Sequence, residues 1–160
     1  MRAMGRYHPA VRFVTTPLPR SGVQIQETID MSPTEYQPSA SVVALAGKLF
    51  QMAREGKTEE LGAYLQAGAP ADLTNEKGDS LIMLASYYGH AATVKKLLQH
   101  GADPNRVNDR GQSPLAGAVF KGSEDVIRAL LDGGADPDLG APSARETAHM
   151  FGRMELLGDA

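Results

Sequence analysis

The chain has 160 residues, of which 42% are hydrophobic and 22% charged, the composition of one globular domain that can bury a core. Because it contains no cysteine, a disulfide framework, a thiolate metal site and a cysteine nucleophile are excluded. The formal net charge is −3 and no basic stripe lies outside residues 1–30, which argues against nucleic-acid binding, and no apolar run approaches the roughly 20 residues that a membrane span requires.

Residues 1–40 contain five prolines and no sustained apolar period, so they are predicted to be a disordered tail. The tail lacks the continuous apolar segment of a secretory signal, which together with the absence of cysteine predicts a cytoplasmic protein. Val11, Phe13 and Val14 are compatible with a short extended segment, although no pairing partner is evident. Met31 is a possible alternative start, and the intact mass of the native protein tests this.

From about residue 41 the sequence repeats with a step of 33 residues. Three kinds of position keep this step. A Gly-Ala pair recurs at Gly68-Ala69, Gly101-Ala102 and Gly134-Ala135, a glycine at Gly56, Gly89 and Gly122, and a leucine at Leu65, Leu98 and Leu131. Many independent positions with one period indicate a repeat architecture in residues 41–160. The units are about 44–74, 75–107 and 108–140, followed by a partial unit at 141–160.

Each unit is predicted to form two short helices and a loop. Ser80 and Ser113 are placed to cap the first helix, and Gly89 or Gly122 ends it where a positive φ is needed. Ser143 has the spacing of a capping box, which starts the fourth unit. The second helix of the first and third units begins with two acidic residues at the positive end of its dipole.

The apolar positions of a helix pair form one face that recurs in the next unit. These positions are Leu81, Ile82, Ala85, Val94, Leu97 and Leu98 in the second unit, and Leu115, Ala118, Ile127, Leu130 and Leu131 in the third. Because one helix pair cannot bury such a face alone, neighbouring units must stack and share a core. The sequence therefore predicts an all-α solenoid of about four stacked helix-turn-helix units with extended loops.

The motifs at both ends of a unit identify the type of repeat. Residues 111–118 read Gly-Gln-Ser-Pro-Leu-Ala-Gly-Ala, and residues 101–105 read Gly-Ala-Asp-Pro-Asn. They resemble the Gly-x-Thr-Pro-Leu-His-x-Ala start and the Gly-Ala-Asp end of the ankyrin repeat. The stretch 41–157 is similar to short bacterial ankyrin-repeat proteins, particularly those of actinobacterial type. In the family the motif histidine ties adjacent loops, and its replacement by Phe50, Met83 and Ala116 leaves the rigidity of the loops open.

The residues that commonly carry chemistry form no site in the sequence. The four histidines lack metal-ligand spacing, and His90 follows a helix-ending glycine, where a structural or surface role is expected. The acids lie in loops or cap helices, and Ser80, Ser113 and Ser143 are accounted for as caps. No phosphate-binding glycine loop is present. The chain is therefore predicted not to be an enzyme and to need no metal or cofactor.

The resemblance implies a concave binding surface, formed by the loop tips and the exposed side of each first helix. Carried over by position, this surface consists of Glu76, Lys77, Asp79, Tyr87, Tyr88 and His100 in the second unit, and of Asp109, Arg110, Gln112, Phe120 and Lys121 in the third. The aromatic residues are the strongest candidates, because the repeat needs no core residue there and aromatic anchors ringed by charge are typical of interface hot spots. Tyr87 and Phe120 hold equivalent positions, so they are expected side by side. Packing between units is their alternative role.

Together these features predict a non-catalytic protein–protein interaction module. It would act as a monomeric adaptor or regulator of a cytoplasmic protein, bound through the concave surface. The alternative is a self-associating structural protein that uses an incomplete C-terminal cap, in which Leu130, Leu131 and Leu157 are expected to be partly uncovered. Light scattering separates the two, because only the second predicts a dimer that depends on concentration.

Overall fold

The computed structural model describes residues 11–12 and 39–159. In this part of the chain the α-helices are α1 (Ala40–Glu55), α2 (Thr58–Gln66), α3 (Leu81–Tyr87), α4 (Ala91–Gln99), α5 (Pro114–Lys121), α6 (Glu124–Asp132) and α7 (Ala144–Met150). A 3₁₀ helix (Met154–Leu157) follows α7, and two short strands are β1 (Val11–Arg12) and β2 (Thr74–Asn75). Most of the predicted tail, including the possible start at Met31, lies outside the described residues.

The helices form two layers. The first helices of the units, α1, α3, α5 and α7, contact one another in chain order. The second helices, α2, α4 and α6, do the same in the other layer, where the 3₁₀ helix continues the row beside α6. Each second helix also contacts the first helix of its own unit. This arrangement confirms the predicted all-α stack of helix pairs.

The predicted serine caps all form. The hydroxyl of Ser80 accepts the N–H of Met83 at 3.1 Å, and Ser113 repeats this bond in the next unit. Ser143 completes the capping box, because the Glu146 carboxylate also accepts the backbone N–H of Ser143 at 3.0 Å. Each such cap stabilises its helix by about 1 kcal/mol. The starts of α3, α5 and α7 are therefore each fixed by a local interaction.

One hydrophobic core extends through the stack from Ala46 to Leu157. Leu130 has 0% and Leu157 has 2% of its surface exposed, and Leu131 is partly buried against the same core. The expectation that these three leucines are left uncovered is therefore wrong for Leu130 and Leu157. The physical reason is that the 3₁₀ helix contacts both α6 and α7, so it closes the end of the stack with a single turn.

The extended segment at residues 11–12 has a partner that the sequence did not reveal. β1 pairs antiparallel with β2, with Val11 opposite Asn75 and Arg12 opposite Thr74. β2 lies in the loop between the first and second units. This pairing brings a piece of the predicted tail to the first loop of the solenoid, while Phe13 and Val14 lie outside the described residues.

At the junctions between units, a side chain from one unit bonds to the backbone of the unit before it. The Nε2–H of His90 donates to the carbonyl of Arg54 at 2.8 Å, and its ring lies over Gly56. Two junctions further along the stack, between the third and fourth units, Arg153 donates from Nη1 to the carbonyl of Val119 at 2.9 Å and to that of Phe120. These contacts supply donors to carbonyls in the last turns of first helices, where the regular helix bonds run out; the carbonyl of Val119 also accepts the backbone N–H of Gly122.

Candidate functional groove

A groove of about 500 Å³ lies along the layer of first helices and beneath the loops that precede them. Its lining comes from α3, α5 and α7, the residue after α3, the residue after α7, and the adjoining loops: Asp79, Met83, Leu84, Tyr87, Tyr88, Asn108, Arg110, Gln112, Ala116, Gly117, Phe120, Pro142, Thr147, Met150 and Phe151. It therefore spans the second, third and fourth units, so that stacking of the repeats creates it.

The floor of this groove is apolar at the two positions where the motif described above has a histidine. Met83 and Ala116, which replace that histidine in the second and third units, are both buried and both line the groove. Beside them Gly117 has no side chain, and a Cβ there would stand 3.8 Å from the Tyr87 ring and 3.9 Å from the Met83 sulfur. Small residues on α5 thus give the groove its depth.

Aromatic residues and one methionine form the walls. They are the groove residues with large, exposed apolar side chains: Tyr87 at 38%, Tyr88 at 51%, Phe120 at 47%, Met150 at 62% and Phe151 at 48% exposure. Tyr87 and Tyr88 meet edge to face with ring centroids 5.3 Å apart, and Phe120 and Phe151 do so at 5.4 Å. Tyr87 and Phe120 line the same groove, although each makes its ring contact with another residue. We name these five residues the aromatic wall.

The sequence analysis missed the two wall residues of the fourth unit, Met150 and Phe151. The signal was present, because the step from the third to the fourth unit is 30 residues, as the spacing of Ala118 and Ala148 shows. The same step carries Phe120 to Met150. The shortened fourth unit therefore carries groove positions as well as closing the stack.

The predicted charged and polar residues divide into two groups. Asp79, Arg110 and Gln112 line the groove, and the ammonium of Lys121 stands 4.9 Å from the centre of the Tyr87 ring, as a cation–π contact. The others are exposed but lie outside the groove lining: Glu76, Lys77 and Asp109 at the loop tips, and His100 at the end of α4 in the second layer.

Two asparagines hold the loop tips. The side-chain oxygen of Asn75 accepts the backbone N–H of Lys77 at 2.9 Å and that of Asp79 at 3.0 Å. One unit later, the Asn108 oxygen accepts the N–H groups of Arg110 and Gln112, both at 2.9 Å. These side chains act as internal partners for turn backbone, a common use of asparagine, and fix the shape of the tips.

Asn108 also ties adjacent loops together. Its amide donates to the carboxylate of Asp79 at 2.8 Å and to the side-chain oxygen of Gln112 at 2.9 Å. Asn108 is buried, so these bonds replace contacts with water and count towards stability. The loops are therefore linked without the motif histidine. A second consequence is that Asp79 and Gln112 already have partners within the protein.

An ion pair outside the groove shifts the pKa values of its two members. Where the third unit meets the fourth, the Nε–H of Arg145 donates to the carboxylate of Asp138 at 2.7 Å. This hydrogen bond lowers the pKa of Asp138 and raises that of Arg145. Both groups are exposed, so solvent screens the pair, and neither residue lines the groove.

The described part of the chain contains few groups in the groove that commonly carry chemistry. Among them, no three histidine, aspartate or glutamate side chains cluster as a metal site would require. Asp79 is the one carboxylate among the described residues that line the groove, and it accepts a hydrogen bond from the side-chain amide of Asn108. No helix within residues 39–159 is long and apolar enough to cross a membrane. What the groove offers is shape and apolar surface.

A family model of ankyrin repeats, three copies long, matches residues 49–141. The chain therefore belongs to the ankyrin-repeat family, whose members generally mediate protein–protein interaction. An ankyrin repeat protein of Pseudomonas aeruginosa is 56% identical to the chain over 48 residues, a stretch that covers 30% of this chain and 28% of that protein. This similarity supports a bacterial relationship, while the more specific resemblance to actinobacterial proteins stays a prediction.

Proposed function

We propose that the protein is a non-catalytic interaction module whose groove binds a segment of another protein. One observation carries the proposal: the five residues of the aromatic wall remain between 38% and 62% exposed while lining a single groove. A continuous apolar surface of this kind on a globular protein marks an interaction site. Aromatic side chains in a concave surface are the usual anchors of binding energy.

The way in which the groove is built favours binding at low entropic cost. Its walls stand on α3, α5 and α7, which are capped and packed on a continuous core, and its loops are tied by Asn108. A surface that is ordered before binding loses little conformational freedom when a partner arrives. We therefore propose a monomeric adaptor or regulator that acts on a cytoplasmic protein.

Self-association is the second candidate, and one observation favours it. Leu130 and Leu157 are buried, but Met154 is 40% exposed and lies three residues beyond the wall residue Phe151. A second copy would bury this apolar end together with the last part of the groove. Sedimentation velocity over a range of concentrations tests this candidate, because the monomeric adaptor predicts one unchanged species.

The binding groove is tested with affinity capture from lysate, using the full chain as bait. The groove variant carries Tyr88→Ser, Phe120→Ser and Met150→Ser, which remove exposed apolar side chains without opening the core. The control variant carries Val42→Ser and Leu45→Ser, because these residues are each 38% exposed on α1 and lie outside the groove. Circular dichroism verifies that both variants fold.

We expect a prey protein that the wild type and the control recover and the groove variant loses. Removal of three anchors should weaken binding by at least about a hundredfold, since each anchor typically contributes more than about 1 kcal/mol. Recovery of the same prey by all three baits would contradict the proposed site. Loss of the prey with the control alone would place the site at the start of α1.

A further inference from the structure

We infer that the segment bound in the groove is acidic as well as apolar. The inference rests on the proposed function and adds the charge of the partner to it. Its basis is a pair of basic side chains at the groove, Arg110 and Lys121, neither of which has a carboxylate within 4.0 Å among residues 39–159.

Lys121 presents its charge at the wall of the groove. It is the last residue of α5, and its ammonium lies over the ring of Tyr87 at 4.9 Å. A cation–π contact on an exposed ring holds a flexible lysine in place without neutralising its charge. An incoming carboxylate would therefore meet an ammonium that is already ordered, with donors that no acidic side chain in the described part of the chain occupies.

Arg110 presents the second charge from the loop side. Its backbone N–H is fixed by the side-chain oxygen of Asn108, and its side chain lines the groove. The one nearby acid of the lining, Asp79, accepts the amide of Asn108 instead. No acidic side chain within residues 39–159 forms an ion pair with the guanidinium, which can bind a carboxylate with two parallel hydrogen bonds, the geometry that arginine favours.

The spacing of the two charges defines the ligand further. Arg110 lies in the loop before α5 and Lys121 is the last residue of α5, so the two residues lie at opposite ends of an eight-residue helix that is about 12 Å long. An extended segment covers that distance in about four residues. The expected ligand therefore has apolar or aromatic residues between two acidic ones. The groove thus has two basic side chains, Arg110 and Lys121, against one acid, Asp79, in a chain whose net charge is −3.

A display selection with random peptides tests the inference, with full-length protein as bait. One variant reverses both groove charges, Arg110→Glu and Lys121→Glu. The control reverses two exposed cations of the second layer, Lys95→Glu and Arg128→Glu, so that the net charge of both variants is the same. Peptides enriched on the wild type are then measured for binding to every bait and to the groove variant described above.

We expect acidic and apolar peptides on the wild type and on the control, and basic ones on the charge-reversed variant. Acidic peptides should bind that variant about tenfold more weakly, with a difference that shrinks as salt is added. Neutral or basic peptides that still need the aromatic wall would overturn the inference and leave the proposed function intact. Peptides that bind the groove variant equally well would overturn both. Failure to select any peptide would overturn the inference, because the groove would then not bind a linear segment.

Discussion

Two rows of side chains run along the stack, and they differ in what they touch. The junction row, His90 and Arg153, follows the glycine after a first helix and bonds to backbone carbonyls of the preceding unit. The groove row, Tyr87 and Phe120, lies before that glycine and touches other exposed side chains. Tyr87 and His90 are only three residues apart, yet one is used for stability and the other is available for binding.

The comparison shows that periodicity alone does not separate structural from functional positions. Both rows occupy repeat positions, although Ser123 stands at the junction position of the third unit. The contacts of His90 and Arg153 lie between units, where a solenoid derives much of its stability. Changes in the junction row should therefore alter unfolding, while changes in the groove row should alter binding.

The largest effect is expected at the junction of Gly56 and His90. Gly56 and Gly122 both have a φ of 73°, so alanine at either position costs about 1–2 kcal/mol of backbone strain. At Gly56 the new Cβ would also stand 2.5 Å from the His90 ring, whereas at Gly122 it would stand 3.5 Å from Arg153. We expect Gly56→Ala to reduce the free energy of unfolding by about 3 kcal/mol, because the hydrogen bond to Arg54 is lost as well.

Denaturant unfolding of the two glycine variants provides the measurement. Gly122→Ala is the matched control, since it shares the strain but leaves its neighbour in place. If both variants lose the same free energy of unfolding, His90 contributes nothing to the junction. The assignment of His90 to a stabilising junction row would then be wrong.

The fold was predictable because its signals are local and repeated. Ser80 and Ser113 mark helix starts through bonds within four residues, and the glycine at 122 marks a helix end through its positive φ. The closure of the C-terminal end was not predictable in the same way. It depends on a 3₁₀ turn that buries Leu157 against α6, and nothing in the local sequence indicates that one turn suffices.

The candidate groove was predictable only in part. Tyr87 and Phe120 stood out because they are aromatic at equivalent positions where the repeat needs no core residue. The apolar floor, in contrast, depends on how Met83 and Gly117 approach each other across two units. The internal bonds of Asp79 and Gln112 likewise arise from the stacking of neighbouring loops. Sequence reasoning identified residues that could reach a partner, but it could not show which of them were already engaged.

A smaller effect is expected from the other end of the junction row. Arg153→Met removes the donors for two carbonyls at the end of α5 while keeping a long apolar chain. These carbonyls can partly turn to water, so the loss should be about 1–1.5 kcal/mol. Arg128→Met is the control, because Arg128 is exposed on α6 and should change the free energy of unfolding by less than about 0.5 kcal/mol. A thermal or denaturant midpoint that moves equally in both variants would contradict the role of Arg153.

The smallest effect should have the opposite sign, at Ser86, the residue before Tyr87 on α3. Its hydroxyl is buried and finds no hydrogen-bond partner within residues 39–159, so its removal from water is not compensated there. Ser86→Ala should therefore raise the free energy of unfolding by about 1 kcal/mol, since it also favours the helix. Thr93→Val is the control, because the buried hydroxyl of Thr93 is bonded to that of Thr58 at 2.6 Å and its removal should cost about 1 kcal/mol. Unchanged peptide binding by the Ser86 variant would show that stability and groove function are separable within one helix, whereas a loss of stability would mean that the hydroxyl has a partner in solution.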